Sequence, residues 1–288
     1  MSSVAVRHLA AWYGDRVAEC DDPQCGWKRR LWRRFRWRKT GVRLHGAWYC
    51  SPQCFERAAE KDFARLRRSA PENAAGHRIP LGLLLLSRGC LTNSQLRAAL
   101  AAQRAAGSGR IGQWLEKLGY ASERQVTAAL AMQWSCPVLE ELRADAAALR
   151  MVPLTLLESF EMLPVKFAAA TRTLLVAFAK GIDYRALYAI ESMLDCRTEA
   201  CIVRESQIGT EIARVKTAGR RPEMVFETTG EAGEMARITG GYSLKLGAER
   251  VRIASFGSLL WAKLDCRERS HDLFFRCPPS SSRLKTAG

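Results

Sequence analysis

The stretch PLGLLLLSRGCLTNSQLRAALAAQ (80–103) is followed by RIGQWLEKLGYASERQVTAALAMQ (110–133), and the second repeats the first at a constant offset of 30. Nine positions are identical: Gly82/Gly112, Leu85/Leu115, Gly89/Gly119, Gln95/Gln125, Ala98/Ala128, Ala99/Ala129, Leu100/Leu130, Ala101/Ala131 and Gln103/Gln133. Leu81/Ile111, Thr92/Ser122 and Leu96/Val126 differ only conservatively. A repeat of this kind decides the local architecture before any single residue does.

Each copy reads as a short helix, a turn and a longer helix. Leu81, Leu84 and Leu85, like Ile111, Trp114, Leu115 and Leu118, recur at helical spacing on one face. Gly89 and Gly119 stand where a left-handed residue stops the first helix. Thr92-x-x-Gln95 and Ser122-x-x-Gln125 are capping boxes that open the second. Leu96 and Leu100 then share a face with Gln103, as Val126 and Leu130 do with Gln133.

Outward from the repeat, the chain divides by composition. Its 288 residues can bury a full core and carry a formal charge of +16. Nine Lys or Arg fall within residues 28–43 without one acid, so the basicity is local and suits nucleic acid, an anionic lipid or an acidic partner. Cys20-x4-Cys25 and Cys50-x3-Cys54 bracket this segment, and two close pairs around a hairpin-sized insert suit tetrahedral zinc. Lys39-Thr40-Gly41 reads as the hairpin turn, and Ser51-Pro52 as the cap and first turn of a helix to about Arg68. Knuckle, hairpin and helix resemble a treble-clef zinc finger; the alternative is four unrelated buried thiols. His45 is a spare donor beside a complete four-cysteine set. The interleaved Trp32, Phe35 and Trp37 suit either stacking on bases, with guanidinium groups on phosphates, or the small core of a zinc module.

Residues 68–77 (RSAPENAAGH) read as a linker. After the repeat, Trp134-Ser135-Cys136-Pro137 breaks the helix. Pro153 opens a short helix; strands follow at Met162–Phe167 and 174–179, a helix at Asp183–Leu194, a strand at Ala200–Val203 and a helix at Ser206–Val215. VRIASF, WAKLDC and DLFFRC read as further strands, and PPSSSRLKTAG as a disordered end. The expected architecture is α+β and multidomain. A small four-cysteine zinc module occupies 1–76, the tandem helical repeat 77–140 and a compact α/β module of the same domain 141–216; a short β-rich appendage and tail fill 217–288.

Over roughly His77 to Val215 the chain resembles the N-terminal domain of type II secretion and type IV pilus assembly ATPases. The resemblance rests on PLGLLLLSRG…TNSQLRAALAAQ, on RIGQWLEKLGYASERQVTAALAMQ and on VPLTLLESFEMLPVKF…TLLVAFAKGIDYRALYAIESML. In some members of that family the paired motif binds cyclic di-GMP, which makes a cyclic di-GMP site or a docking site for a secretion or pilus assembly partner the implied function. Two features depart from the family. The sequence contains no G-x-x-x-x-G-K-[ST], and no lysine follows a glycine anywhere, so the ATPase motor does not carry over. The family opens each copy with Arg-Leu-Gly; copy two keeps Arg110-Ile111-Gly112, but copy one has Pro80-Leu81-Gly82, with Arg78 two places early.

The residue types fit such a ligand. Gly82 and Gly112 would admit backbone N–H groups close to an anion near helix starts. Arg110 offers a forked donor for guanine O6 and N7. Leu81, Leu85, Leu96 and Leu100, with Ile111, Leu115, Val126 and Leu130, offer apolar surface; Gly89 and Gly119 shape the turns; Gln103 and Gln133 offer amides. The same leucines, glycines and glutamines would equally serve as bundle core, caps and surface. Gly107-Ser108-Gly109-Arg110-Ile111-Gly112 matches G-x-G-x-x-G, but a helix rather than a strand precedes it, so the dinucleotide reading is rejected. His8, His45, His77 and His271 form no recognisable triad, and no enzyme site assembles.

Two functions follow. The first is a non-catalytic adaptor or receptor using the 80–133 repeat. The second is a zinc-dependent nucleic-acid-binding regulator using residues 28–43. No signal peptide and no apolar run of about 20 residues is present, so the expected location is cytoplasmic, peripheral to the inner membrane through a partner.

Overall fold

The computed structural model describes residues 19–26, 41–68, 78–217, 223–228 and 230–278. The turn expected at Lys39-Thr40-Gly41, most of the basic segment 28–43, the linker and the terminal tail lie wholly or largely outside these residues. The chain forms two compact units, 71–223 and a second made of 1–70 with 224–288.

In the first unit the repeat folds as read. The short helices are α2 (Leu81–Ser87) and α4 (Ile111–Lys117), and the long ones α3 (Asn93–Ala106) and α5 (Glu123–Trp134). Both capping boxes form: Thr92 N donates to Gln95 Oε1 at 2.9 Å and Ser122 N to Gln125 Oε1 at 2.8 Å. Gly89 and Gly119 each take φ +70°, the left-handed stop expected of them. The short helix of each copy packs mainly on the long helix of the other, α2 on α5 and α4 on α3. The crossed arrangement closes on Leu85, Leu115, Ala99 and Ala129, all fully buried.

The rest of that unit follows the expected order after one short turn, α6 (Ala146–Leu149). Helix α7 (Leu154–Phe160) leads to strands β3 (Met162–Ala168) and β4 (Thr173–Phe178), then α8 (Tyr184–Leu194), β5 (Arg197–Ile202) and α9 (Glu205–Thr217). The three strands form one sheet in the order β3-β4-β5, antiparallel then parallel. Asp183 caps α8 by accepting from Arg185 N at 2.9 Å. Met162, Leu163, Val176, Ile190, Met193 and Ile202 are fully buried in this part of the unit.

The second unit corrects the expected boundaries. Strands β1 (Val42–Leu44) and β2 (Ala47–Tyr49) join β6 (Glu223–Glu227), β7 (Arg250–Phe256), β8 (Leu259–Asp265) and β9 (Ser270–Arg276) in a six-stranded sheet ordered β2-β1-β7-β8-β9-β6. β1 pairs in parallel with β7, Arg43 opposite Arg250. Residues 1–76 and 217–288 are therefore not a separate module and appendage: the two ends of the chain share one sheet and one core. Helices α1 (Pro52–Arg68) and α10 (Ala232–Leu246) pack together, and Phe55, Phe63, Met235, Val251, Leu273 and Phe275 fill that core. Phe63 meets Phe275 edge to face at 5.5 Å between ring centres.

The hairpin turns at His45-Gly46, whose φ of +49° and +92° suit a two-residue loop that needs positive φ at both positions. Gly41, expected in the turn, instead leaves room for the Trp48 indole, which would lie 2.3 Å from an added Cβ. Among the described residues no helix is long and apolar enough to cross a membrane.

Candidate functional site

In the second unit the four thiols come together. The Sγ atoms of Cys20, Cys25, Cys50 and Cys54 all lie within 4.8 Å of one another. Cys25 to Cys50 is 3.5 Å and Cys50 to Cys54 is 4.0 Å; four sulfurs at about 2.3 Å from a tetrahedral metal stand about 3.8 Å apart. The donor set therefore fits a metal ion. Knuckle, hairpin and helix each supply thiols to the cluster, with Cys54 in the first turn of α1 as its sequence indicated. Burial and the crowding of neighbouring sulfurs push the Cys50 thiol well up and the Cys54 thiol to about 12, a penalty that a bound cation removes by holding thiolates.

Around the thiols stands a charge partner that the sequence reading missed. Arg57 donates from Nη2 to Cys54 Sγ at 3.5 Å and pairs through Nε with Asp22 at 3.1 Å. Burial disfavours the Asp22 carboxylate, but the Arg57 guanidinium and the Gln24 N–H outweigh it and hold the carboxyl below its ordinary range. Arg57 sits three residues after Cys54, one helical turn along the face that carries the ligand. His45, the spare donor, is not among the clustered donors: its Nε2 accepts from Ile253 N at 3.4 Å in the hairpin turn.

In the first unit a cavity of about 360 Å³ opens beside copy two of the repeat, within the range of small-ligand sites. Of the predicted ligand residues it gathers Leu81, Arg110, Ile111, Gly112, Val126, Leu130 and Gln133. The others serve elsewhere. Leu85 and Leu115 are bundle core, Leu96 and Leu100 are half-buried, and Gly89 and Gly119 stop helices. Gly82 was expected to bring backbone toward an anion. Its missing side chain is used instead for helix packing, since an added Cβ would lie 2.6 Å from Leu96 Cδ1. Gly112 packs similarly, 3.0 Å from Val126 Cγ1, while still lining the cavity.

The two glutamines perform one task twice. Gln103 Nε2 donates to Gly109 O at 2.8 Å, and Gln133 Nε2 to Ile79 O at 2.7 Å. Residues 79 and 109 are again 30 apart, so each long helix clamps the backbone just before the short helix of the other copy. Gly107 is the left-handed C-cap of α3, which accounts for that glycine without a dinucleotide fingerprint.

The far wall of the cavity comes from the α/β part of the same unit. Arg110 Nη1 donates to Lys180 O at 2.7 Å. Lys180 Nζ bridges Glu161 at 2.6 Å and Glu205 at 3.0 Å; burial disfavours the ammonium, but the two carboxylates outweigh it and raise its pKa. Glu123 caps α9, accepting from Ser206 N at 2.8 Å and from its Oγ at 2.9 Å. Glu116 is half-buried and its pKa is raised, first by burial and then by Glu123 and Glu205. The site thus offers apolar walls from Leu81, Ile111, Val126 and Leu130, a forked cation, and carboxylates able to accept from ring N–H groups. Glu116 lies four residues after Gly112 on α4, a spacing that would have marked it; Lys180 and Glu205 carried no local signal.

Comparison with known proteins follows this division. The MshEN domain family matches residues 134–221, from the end of α5 through α9. Among solved structures, MshE with cdg (cyclic di-GMP) is 31% identical over 48% of this chain and 99% of that chain, with a TM-score of 0.42. The N-terminal domain of XpsE is 22% identical over 50% of this chain and 97% of that chain, with a TM-score of 0.37. No curated protein matches the chain. On the sequence match, this chain belongs to the proteins that carry an MshEN domain, the N-terminal domain of type II secretion and type IV pilus assembly ATPases.

Proposed function

We propose that this chain is a non-catalytic receptor that binds cyclic di-GMP through the 80–133 repeat and passes that state to a secretion or pilus assembly partner. The observation that carries the reading is the cavity on copy two, where Arg110 stands beside apolar walls and a clamped helix start. Cyclic di-GMP presents guanine faces, which suit Leu81, Ile111, Val126 and Leu130, and guanine edges, which suit a forked arginine and carboxylate acceptors. The sequence identity to MshE, named with that ligand, supports the choice. No G-x-x-x-x-G-K-[ST] occurs within these 288 residues, so the proposed role rests on the repeat and its cavity. The Cys20, Cys25, Cys50 and Cys54 site is proposed to hold structural zinc, and the chain to act in the cytoplasm, peripheral to the inner membrane through its partner.

Titration of cyclic di-GMP into the full chain, with GTP as control, tests the reading. Saturable binding is expected, weakened about 5- to 150-fold in Arg110→Ala, the span of one lost bidentate base contact. Weaker binding is also expected in Gln103→Ala and Gln133→Ala, which release the clamped backbone. Wild-type protein that takes up no cyclic di-GMP, or an Arg110→Ala variant of unchanged affinity, would overturn it.

A further inference from the structure

The cavity has an arginine from copy two and none from copy one of the motif, where Pro80 stands instead. Cyclic di-GMP carries two guanines, so one forked arginine leaves one base unread. The other side of the clamped backbone supplies a replacement. Arg110 directly follows Gly109, whose carbonyl Gln103 holds; Arg78 directly precedes Ile79, whose carbonyl Gln133 holds. Each clamp therefore has one arginine next to it in sequence, and Gln133 itself lines the cavity.

Arg78 is also held in place. Its guanidinium carbon lies 3.6 Å from the centre of the Trp134 ring, a cation–π stack that orients the fork while leaving its N–H edge to donate. Among the described residues no carboxylate pairs with it. Trp134 in turn is seated by Gly181, at φ +130°, where an added Cβ would lie 2.8 Å from the indole. Gln133 and Lys180, the sequence neighbours of that indole and that glycine, both line the cavity, so the Arg78–Trp134 stack lies one residue along the chain from two lining residues without itself being part of the lining. The row continues outward through Tyr184, 6.1 Å from Trp134 between ring centres and 42% exposed.

We infer that Arg78, held over Trp134, is a second base-reading arginine of this cavity and takes the place that Pro80 vacated in copy one. The inference rests on the reading of the cavity as a cyclic di-GMP site. The ligand bridges the two copies: Arg110 forks onto one guanine, Arg78 onto the other, and Trp134 keeps the second fork from collapsing into solvent. Arg78→Lys keeps the charge but loses the fork, so it separates base reading from simple attraction of phosphate.

The test is calorimetric titration of cyclic di-GMP and cyclic di-AMP into the full chain and its Arg78→Ala, Arg78→Lys and Arg110→Ala variants. Arg78 is exposed, so its variants are expected to keep the wild-type melting temperature. Arg78→Ala and Arg78→Lys should each weaken cyclic di-GMP binding about 5- to 150-fold, and Arg78→Ala should narrow the preference for cyclic di-GMP over cyclic di-AMP. A wild type that binds, an Arg110→Ala that fails and an Arg78→Ala of unchanged affinity would overturn this inference and leave the site reading intact. A wild type that binds no cyclic di-GMP takes both down.

Discussion

Gly112 shows how one missing side chain serves packing and site together. An added Cβ would sit 3.0 Å from Val126 Cγ1 and 3.3 Å from Leu81 Cδ2. Val126 is β-branched and buried, so it has little freedom to swing away. Gly112→Ala gains about 1 kcal/mol of helix propensity but incurs overpacking of ~1–3 kcal/mol. A net destabilisation of about 1 kcal/mol is expected in urea unfolding, together with weaker cyclic di-GMP binding because both crowded neighbours line the cavity. A more stable Gly112→Ala protein would show that the repeat is loosely packed here. Gly82 differs: its nearest neighbour is the terminal methyl of a half-buried leucine, which can rotate. At this scale the sequence marked both glycines for close approach, and the structure puts helix packing at each of them, with Gly112 also lining the cavity. A regular spacing of glycines announces close approach, and only coordinates say whether a ligand or a leucine makes that approach.

Among the elements, the helix that went unread is α10. Its sequence, AGEMARITGGYSLKL, carries three glycines and reads poorly as a helix on propensity. Two of them face α1: Gly240 lies under Glu56, with an added Cβ 2.9 Å from Glu56 Cγ, and Gly233 lies under Glu60 at 3.5 Å. The spacing of seven between Gly233 and Gly240 brings both onto one face, and close helix packing outweighs the propensity loss. Helix α1 also carries Cys54 and Arg57, so the four-thiol cluster and this helix pair share one element. One zinc per chain is expected by elemental analysis. Removing it with a chelator should lower the melting temperature of the unit by roughly 10 °C or more. Cys54→Ser should reproduce that loss, and a metal-free preparation of unchanged melting temperature would rule out a structural metal.

Across the whole molecule, the two ends of the chain meet in one sheet. β1 follows the cysteine knuckle and pairs with β7, more than 200 residues later, while Phe55 and Phe63 of α1 bury against strands from the C-terminal part. A fragment covering 1–70 therefore lacks most of its sheet and core and is expected to remain unfolded even with zinc. Residues 71–223, which hold a complete repeat, sheet and core, should melt cooperatively by circular dichroism. A zinc-loaded 1–70 fragment with a cooperative transition would restore the independent module that the cysteine spacing alone suggested. Non-local pairing of this kind leaves no mark on periodicity, because each strand alone looks the same whichever neighbour it finds.

The sequence by itself determined the doubled helix pair, its caps and stops, and the succession of helices and strands along the α/β part, since each of these is written in contacts a few residues apart; it also picked out the four cysteines by their spacing. Tertiary structure alone decided that Lys180 and Glu205 close the cavity, that Arg57 and Asp22 stand behind the thiols and that the two ends of the chain make one unit. Those outcomes depend on groups brought together across 35 to more than 200 residues, where burial and charge pairing are settled by the packed core and not by any local pattern.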